Sequence, residues 1–192
     1  MIKIATAECF THGKIGHEIH ILAQGYENDF GGNNLSNYRI KNYIINNSND
    51  DFFDNLSLSC SLFIPTLESL QNILKVKTPE PYTLIKGIKV FNQENDLIVA
   101  ELMAKAVKNL SNSDIGIGTT AGIGKGGIAI VTNDLTITTT SDVYADLTSS
   151  DSDIILKRQI SGIEKTLGIL LNLLNDDLDS LNDFDDLLVI TN

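Results

Sequence analysis

The residue with the clearest chemical potential is a cysteine at the end of an apolar run. Cys9 follows the β-branched, apolar stretch at 2–7 and precedes a turn that contains His12 and Lys14. A thiol reacts as its thiolate, and nearby cations together with the free N–H groups of a following helix would favour that form. The same N–H groups could hold the oxyanion formed when a thiolate attacks a carboxyl derivative. The pattern fits acyl chemistry on Cys9, although a small buried cysteine at a strand end would look the same.

A carboxylate stands directly beside this cysteine. The side chain of Glu8 points to the other side of the strand from that of Cys9 if the strand continues. Its carboxylate could therefore either pin the backbone or bind a substrate. The candidate binding residues in and around this first turn are Thr6, Glu8, Thr11, His12, Gly13 and Lys14.

The second candidate is the glycine-rich stretch at 116–127. It lacks the Walker pattern, because Thr119 stands where the first glycine is required and Gly126 follows Lys125 where Ser or Thr is required. Apolar strand residues also follow it in place of a helix. Such a loop can still present backbone N–H groups to a phosphate or a carboxylate, and a tight structural turn is the alternative. The candidate binding residues here are Thr119, Thr120, Gly122, Gly124, Lys125 and Gly126.

Composition restricts the class of protein. The 192 residues carry a formal net charge of −11, which disfavours a general role in nucleic-acid binding. No apolar run approaches the length of a membrane span, and the N-terminal segment is too short and too polar for a signal peptide. The two cysteines are far apart, and neither a disulfide framework nor a zinc cluster is indicated. We expect a cytoplasmic protein with reduced thiols and no metal site.

Alternating helices and strands are expected to position the two turns. Apolar residues recur on one side of the stretch at 14–23, which predicts a helix with Thr11 as its N-cap. Helical spacing recurs at 92–109, with Asn92 near the cap, and in a long helix that begins near 151. β segments are predicted at 2–7, 114–120, 128–132 and 136–144. This order predicts an α/β fold, a three-layer sandwich with a mixed, partly parallel β-sheet.

The chain is expected to form one domain over residues 1–192. Residues 46–86 have an irregular pattern and are interpreted as an insertion or elaboration with one helix at about 66–74. Residues 176–192 are rich in aspartate and contain no lysine or arginine, so they are interpreted as an acidic surface segment.

The sequence resembles the HcgF family of methanogenic archaea. The resemblance rests on the opening MIKIATAECFTHGKIGHEIH, on DIGIGTTAGIGKGGIAIVT and on the long final helix, and it covers essentially the whole chain. It implies a role in the biosynthesis of the iron-guanylylpyridinol (FeGP) cofactor of the mono-iron hydrogenase. It also implies that guanylylpyridinol is the substrate and that Cys9 holds its carboxymethyl group as a thioester. In this family an E1-like partner of the HcgE type is understood to adenylate the carboxylate first.

A more distant resemblance connects the chain with the C-terminal domain of CinA, a nicotinamide-mononucleotide amidohydrolase. The segments TAEC, GGNNLSNYRIK and TTAGIGKGG follow one another in the order of that domain's motifs, and the fold is expected to be similar. By this match Cys9 takes the place of a nucleophilic serine, and Lys41 takes that of a catalytic lysine. Ser36 stands where that family has a tyrosine. This departure, and cysteine in place of serine, put amidase activity in doubt.

Three functions stay open on the sequence. The chain is an acyl-carrying protein with a thioester on Cys9, a hydrolase of the amidase type, or a nucleotide-binding protein in which Cys9 is structural. For a guanylylpyridinol ligand, the loop at 122–127 is the expected phosphate site. Lys14, Lys41 and Lys125 are the expected local cations, which an anionic substrate needs in so acidic a protein. Amphipathic helices on such a sandwich often pair with a second subunit, which predicts a homodimer.

Overall fold

The computed structural model describes residues 1–26, 29–30 and 53–192. In chain order the elements are β1 (Ile2–Glu8), α1 (Lys14–Ala23), β2 (Leu56–Phe63), α2 (Leu67–Asn72), β3 (Thr83–Ile85), β4 (Ile88–Val90), α3 (Gln93–Ser111), β5 (Ile115–Thr120), β6 (Ile123–Gly124), β7 (Gly127–Val131), β8 (Leu135–Thr139), β9 (Ala145–Asp146), α4 (Ser152–Leu174) and β10 (Leu188–Thr191). Short 3-10 helices lie at Phe53–Asn55 and Asp179–Asp183.

Six of these strands form one mixed sheet in the order β10-β8-β7-β5-β1-β2. β1 pairs in parallel with β2 and β5, while β5, β7, β8 and β10 pair antiparallel. The prediction of a mixed, partly parallel sheet is therefore confirmed. In this register Glu8 lies opposite Phe63 on one side and opposite Thr119 on the other. The carboxyl ends of three parallel strands thus meet where the Cys9 turn begins.

Helices cover both faces of the sheet because the apolar residues of the strands alternate between them. On one face, α1 and α4 pack against side chains such as Ile4 and Ile117. On the other face, α3 places Val99 and Met103 against Ala5 and its neighbours. The predicted three-layer sandwich is confirmed, and α1 and α3 lie close to their predicted ranges. Asn92 caps α3, since its side chain accepts a hydrogen bond from the Asn95 N–H at 2.9 Å.

α3 packs directly on the backbone of β5, and glycines make this approach feasible. A Cβ atom at Gly118 would overlap the carbonyl oxygen of Ala100, and one at Gly116 would overlap that of Ala104. The alternation IGIG in β5 therefore serves helix packing on one face of the sheet. The other face of the same strand carries the core residues Ile115 and Ile117.

The Gly118→Ala variant is expected to lose about 2–3 kcal/mol of stability, because the new methyl group meets helix backbone that cannot move aside locally. Urea unfolding followed by circular dichroism measures this loss. The exposed Leu110→Ala variant on the same helix serves as a control and should change stability by less than about 0.5 kcal/mol. Equal stability of Gly118→Ala and the wild type would contradict the close packing of α3 on β5.

Two segments differ from the sequence-based expectations. Residues 46–86 were interpreted as an insertion or elaboration with one helix, and β2 within them pairs with β1 and so belongs to the main sheet. The helix expected at about 66–74 is shorter, at Leu67–Asn72, and Thr66 caps it by accepting from the Ser69 N–H at 3.0 Å.

The acidic end of the chain is mostly exposed and also contributes a strand to the sheet. β10 pairs antiparallel with β8 and adds the sixth strand of the sheet. Phe184 and Leu187 also pack against the core formed by α1 and α4. Within the described part of the chain, no helix is both long enough and apolar enough to span a membrane.

Candidate functional site

Cys9 directly follows β1 at the edge where the parallel strands end. Its backbone N–H donates to the carbonyl oxygen of Thr119 at 2.9 Å, so the first turn is joined to the end of β5. The residue is 6% exposed. Its Sγ lies 3.9 Å from the carbonyl oxygen of Pro65, in the segment that follows β2. The structure thus brings together Cys9 and Thr119, two of the predicted site residues that lie far apart in sequence.

The turn after Cys9 is held by the buried carboxylate of Glu8. This carboxylate is fully buried and accepts hydrogen bonds from the Thr11 hydroxyl at 2.7 Å, the Ile15 N–H at 3.1 Å and the Gly16 N–H at 2.8 Å. Glu8 is therefore a backbone-pinning group, which was one of its two expected roles. It occupies N–H groups at the start of α1 that were expected to face a thiolate or an oxyanion.

The prediction of Thr11 as the N-cap of α1 is wrong. The N-cap is Gly13 with a φ of 76°, and no side chain caps it. A left-handed φ is the conformation that glycine adopts without strain. The Thr11 hydroxyl instead bridges Glu8 and the hydroxyl of Thr119, each at 2.7 Å. Thr11 therefore connects the first turn to β5.

The remaining candidates of the first turn do not add buried positive charge. Lys14 is exposed. His12 has a φ of 54° and packs edge-on against the Phe63 ring, with centroids 5.5 Å apart. Desolvation lowers the pKa of His12, against an opposing effect of Glu8, and so disfavours a positive charge on the imidazole. The Thr6 hydroxyl donates to Ser61 Oγ at 3.0 Å in the interior between β1 and β2.

The glycine-rich loop is held by side chains of α3. The Gly122 N–H donates to Asp96 Oδ2 at 2.8 Å, and the Lys125 N–H donates to Gln93 Oε1 at 2.7 Å. The same Gln93 donates through Nε2 to the Gly126 carbonyl at 2.9 Å. The N–H groups of Gly122 and Lys125 thus have protein partners. They could serve a phosphate, as expected from the sequence, only after these bonds break.

The Lys125 side chain points to the surface. Its Nζ forms an exposed ion pair with Asp186 at 2.7 Å, and this hydrogen bond raises the pKa of Lys125. Lys41 and Ser36 lie outside the residues that the structure describes. Of the three lysines expected to supply local charge, the two described ones are therefore exposed at the surface.

Buried cations from elsewhere in the chain lie near Cys9. Lys89 is the fully buried middle residue of β4, and its Nζ donates to the carbonyl oxygens of Ile64 at 2.7 Å and Pro65 at 3.2 Å. The Pro65 oxygen is also the one that the Cys9 thiol contacts. The ammonium group of Lys89 and the thiol thus share an acceptor.

Arg158 of α4 reaches the glycine loop from the other face of the sheet. It is 1% exposed, and its Nη1 donates to the carbonyl oxygens of Gly122 at 3.0 Å, Gly124 at 3.0 Å and Ala145 at 2.8 Å. Burial lowers the pKa of Arg158, while the charges of Asp96 and of a Cys9 thiolate act in the opposite direction. Arg158 is therefore close enough to interact electrostatically with Asp96 and with Cys9.

Asp96 is the buried acid of this cluster. It lies in the first turn of α3 and is fully buried. Burial raises the pKa of its carboxyl group to about 7, against the opposing effects of the Gly122 N–H and the charges of Arg158 and Lys89. Near neutral pH the carboxyl group is therefore present in both protonation states.

Lys89, Asp96 and Arg158 were not predicted from the sequence. In the sequence each is an ordinary charged residue. Lys89 lies on a short strand, Asp96 lies in the first turn of a helix, and Arg158 lies within an amphipathic helix. A signal existed for Arg158, since it stands four and five residues before Gly162 and Ile163 and so shares the buried stripe of α4. No such signal placed Lys89 beside the cysteine, because β4 has only three residues.

Comparison with known proteins agrees with one of the resemblances. The family model described as FeGP cofactor biosynthesis protein HcgF matches residues 1–174. A UPF0254 protein of Methanothermobacter thermautotrophicus (strain Winter) is 44% identical over 92% of this chain and 98% of its own length. One of Methanococcus maripaludis (strain C6) is 42% identical over 91% and 96%. One of Methanopyrus kandleri is 37% identical over 94% and 92%.

A solved structure with a related arrangement is a CinA superfamily protein of Escherichia coli. It is 14% identical, has a TM-score of 0.47, and the match covers 88% of this chain and 80% of that one.

Proposed function

We propose, from the premise that this chain belongs to the HcgF family of FeGP cofactor biosynthesis proteins, that Cys9 carries the carboxymethyl group of guanylylpyridinol as a thioester. The observation that carries this proposal is the surroundings of the thiol. Cys9 lies at the carboxyl ends of parallel strands, in contact with the Pro65 carbonyl to which the Lys89 ammonium donates. The Arg158 guanidinium lies within electrostatic range.

These surroundings suit attack on an activated carboxyl group. A free carboxylate is a poor electrophile, so the proposal includes prior adenylation by an E1-like partner of the HcgE type. The Cys9 sulfur then attacks the carbonyl carbon and forms the C–S bond. The C–O bond to the phosphate breaks, its electron pair leaves with the nucleotide, and the thiol proton passes to solvent. Buried cations favour the negative charge that develops on the carbonyl oxygen.

The buried position of Cys9 supports a carrier role. With 6% of the residue exposed, a thioester on Cys9 would be shielded from bulk water. A thioester keeps more acyl reactivity than an ester, so it can pass its acyl group to a metal in a later step. A hydrolase of the amidase type would instead release its product and leave a free thiol.

Intact-protein mass spectrometry tests the proposal. The protein is incubated with guanylylpyridinol, with and without the adenylating partner and ATP, and is then treated with neutral hydroxylamine. We expect a ligand-sized mass gain that hydroxylamine removes, that is absent from Cys9→Ala and that persists in Cys60→Ala, the matched control for the second free thiol. Product release without a persistent adduct would favour a hydrolase. Binding of the ligand with no adduct under either condition would make Cys9 a structural residue.

A further inference from the structure

We propose that Arg158 and Thr120 form a buried subsite beside Cys9 for an anionic oxygen group, a carboxylate or a phosphate, of the molecule that Cys9 attacks. This inference deepens the proposed function and rests on Cys9 being the nucleophile. In this inference the anion is bound by the subsite, and not by the N–H groups of the glycine loop or by the surface residue Lys125. The inference is based on a buried charge without an ion pair and on buried polar atoms without hydrogen-bond partners among the described residues.

The first observation is a buried positive charge that forms no direct ion pair with an acid among the described residues. The ion pairs among the described residues are Lys105–Glu101, Lys125–Asp186 and Lys165–Asp142, and none involves Arg158. Within the described part of the chain, the hydrogen bonds of Arg158 all run from Nη1 to neutral carbonyl oxygens. A buried charge is costly unless it is paired. A ligand anion would supply the pairing that the described part of the chain leaves out.

Asp96 meets this need only in part. It lies within electrostatic range of Arg158, yet its Oδ2 is committed to the Gly122 N–H. Lys89 adds a second buried cation in range of the same carboxyl group. The charge of Asp146 also acts on Arg158, but none of the ion pairs or hydrogen bonds among the described residues joins the two side chains.

The second observation is a set of buried polar atoms without partners. Arg158 Nε, Thr120 Oγ1 and Asp96 Oδ1 are buried, and none has a hydrogen-bond partner among the described residues. Buried polar groups are normally satisfied, so such atoms call for an explanation. Thr120 ends β5, two residues before the Gly122 that Arg158 and Asp96 both contact. A guanidinium N–H and a hydroxyl are both donors to anionic oxygens.

The position of these donors fits the chemistry at Cys9. Thr119, next to Thr120 in the chain, accepts the hydrogen bond from the Cys9 N–H. In the proposed reaction the attacked carbonyl carbon belongs to an acyl phosphate, whose phosphate group carries anionic oxygen. A subsite at Arg158 and Thr120 would place that group beside the thiol and would favour anionic over neutral partners of the same shape.

A pair of small alkylating reagents tests the subsite without any substrate. Iodoacetate is an anion, and iodoacetamide is its neutral counterpart of nearly the same size. The Cys60→Ser protein reports the rates at Cys9, and the Cys9→Ser protein reports those at Cys60, the matched control thiol on β2. We expect the ratio of the iodoacetate rate to the iodoacetamide rate to be about tenfold or more higher at Cys9 than at Cys60.

Variants assign the preference to the two residues. Thr120→Val removes a hydroxyl that has no partner among the described residues, so the fold is retained, and the ratio at Cys9 should fall about fivefold. Arg158→Met should bring the ratio to that of Cys60, and Arg158→Lys should restore part of it. Circular dichroism checks that each variant is folded, and Thr120→Val keeps the test decisive if the Arg158 variants unfold. Equal ratios at the two thiols, or a ratio that Thr120→Val leaves unchanged, would overturn the subsite.

If neither reagent labels Cys9, the subsite is tested by the shift in Tm of the protein with added inorganic phosphate or acetate. A rise in Tm that is smaller in Thr120→Val than in the wild type supports the subsite, and the anion with the larger effect shows whether it binds a phosphate or a carboxylate. Equal shifts in Tm for the two proteins would overturn the subsite. These measurements are independent of the thioester experiment. Anion preference without thioester formation would contradict the proposed function alone. Thioester formation with equal alkylation ratios would contradict this inference alone.

Discussion

The Asp96→Asn variant is expected to gain about 4 kcal/mol of stability relative to the wild type as the pH is raised from below about 4 to above about 7. The carboxyl group of Asp96 has a pKa of 3.8 in its ordinary state and about 7 in the folded protein, chiefly because it is buried. Between these values the unfolded chain loses the proton while the folded protein retains it. The favourable contribution of Asp96 is therefore complete below about pH 4, falls as the pH rises and is lost above about pH 7. A shift of about three pKa units corresponds to about 4 kcal/mol.

Urea unfolding at several pH values between 4 and 8 measures this difference. The amide introduced by Asp96→Asn keeps an oxygen that can accept from the Gly122 N–H, as Asp96 Oδ2 does at 2.8 Å, so the glycine loop keeps its anchor. The exposed Asp134→Asn variant is the control and should follow the wild-type curve at every pH. Parallel curves for Asp96→Asn and the wild type would show that the folded state does not hold this proton.

The Glu8→Gln variant is expected to lose about 4 kcal/mol of stability at pH 7. Oε2 of Glu8 accepts from the Thr11 hydroxyl and the Ile15 N–H, and Oε1 accepts from the Gly16 N–H. An amide has only one oxygen, so its NH2 group would face one of these donors inside a fully buried site. Hydrogen bonds to a charged acceptor contribute about 1.5–3 kcal/mol each, and a buried donor left unpaired adds a further cost.

Chemical unfolding at pH 7 tests this expectation, with the alkylation rate of Cys9 as a second readout. The control is Glu101→Gln, which breaks the exposed ion pair with Lys105 and should cost less than about 1 kcal/mol. Because Glu8 joins the end of β1 to the start of α1, the rate at Cys9 should also change in Glu8→Gln. A loss no greater than that of Glu101→Gln would show that the turn holds its shape without the carboxylate.

Local sequence patterns were sufficient to predict the main helices and the central strands. Apolar spacing placed α1 at 14–23 as observed, and Asn92 caps α3 as expected. β2 was missed although its leucines at 56, 58 and 62 alternate with serines, because the polar stretch before it suggested an insertion. Its pairing with β1 joins residues far apart in sequence, and local pattern carries no information about such a partner.

The sequence named both turns as candidate sites, but it did not show how their residues or charges are arranged. Cys9 and Thr119 meet because the parallel strands β1 and β5 bring their carboxyl ends together. The sequence assigned positive charge to lysines in turns, where a charge is cheap to solvate and is therefore usually exposed, as Lys125 is. The charges near the thiol come instead from Lys89 and Arg158, which are buried by packing that involves several elements. Burial of this kind depends on tertiary contacts and is hard to predict from a single sequence.

β10 is the strand at one edge of the six-stranded sheet. Without this strand, β8 would be the edge, and its unpaired backbone groups could template the association of any extended chain. The strand that replaces it has only four residues and lies beyond residue 174, where the family match ends. It directly follows Asp183, Asp185 and Asp186, so two copies that meet edge to edge also bring like charges together. β10 is itself an exposed edge with apolar side chains at Leu188, Val189 and Ile190, so its short length and the aspartates before it are what oppose pairing with another chain.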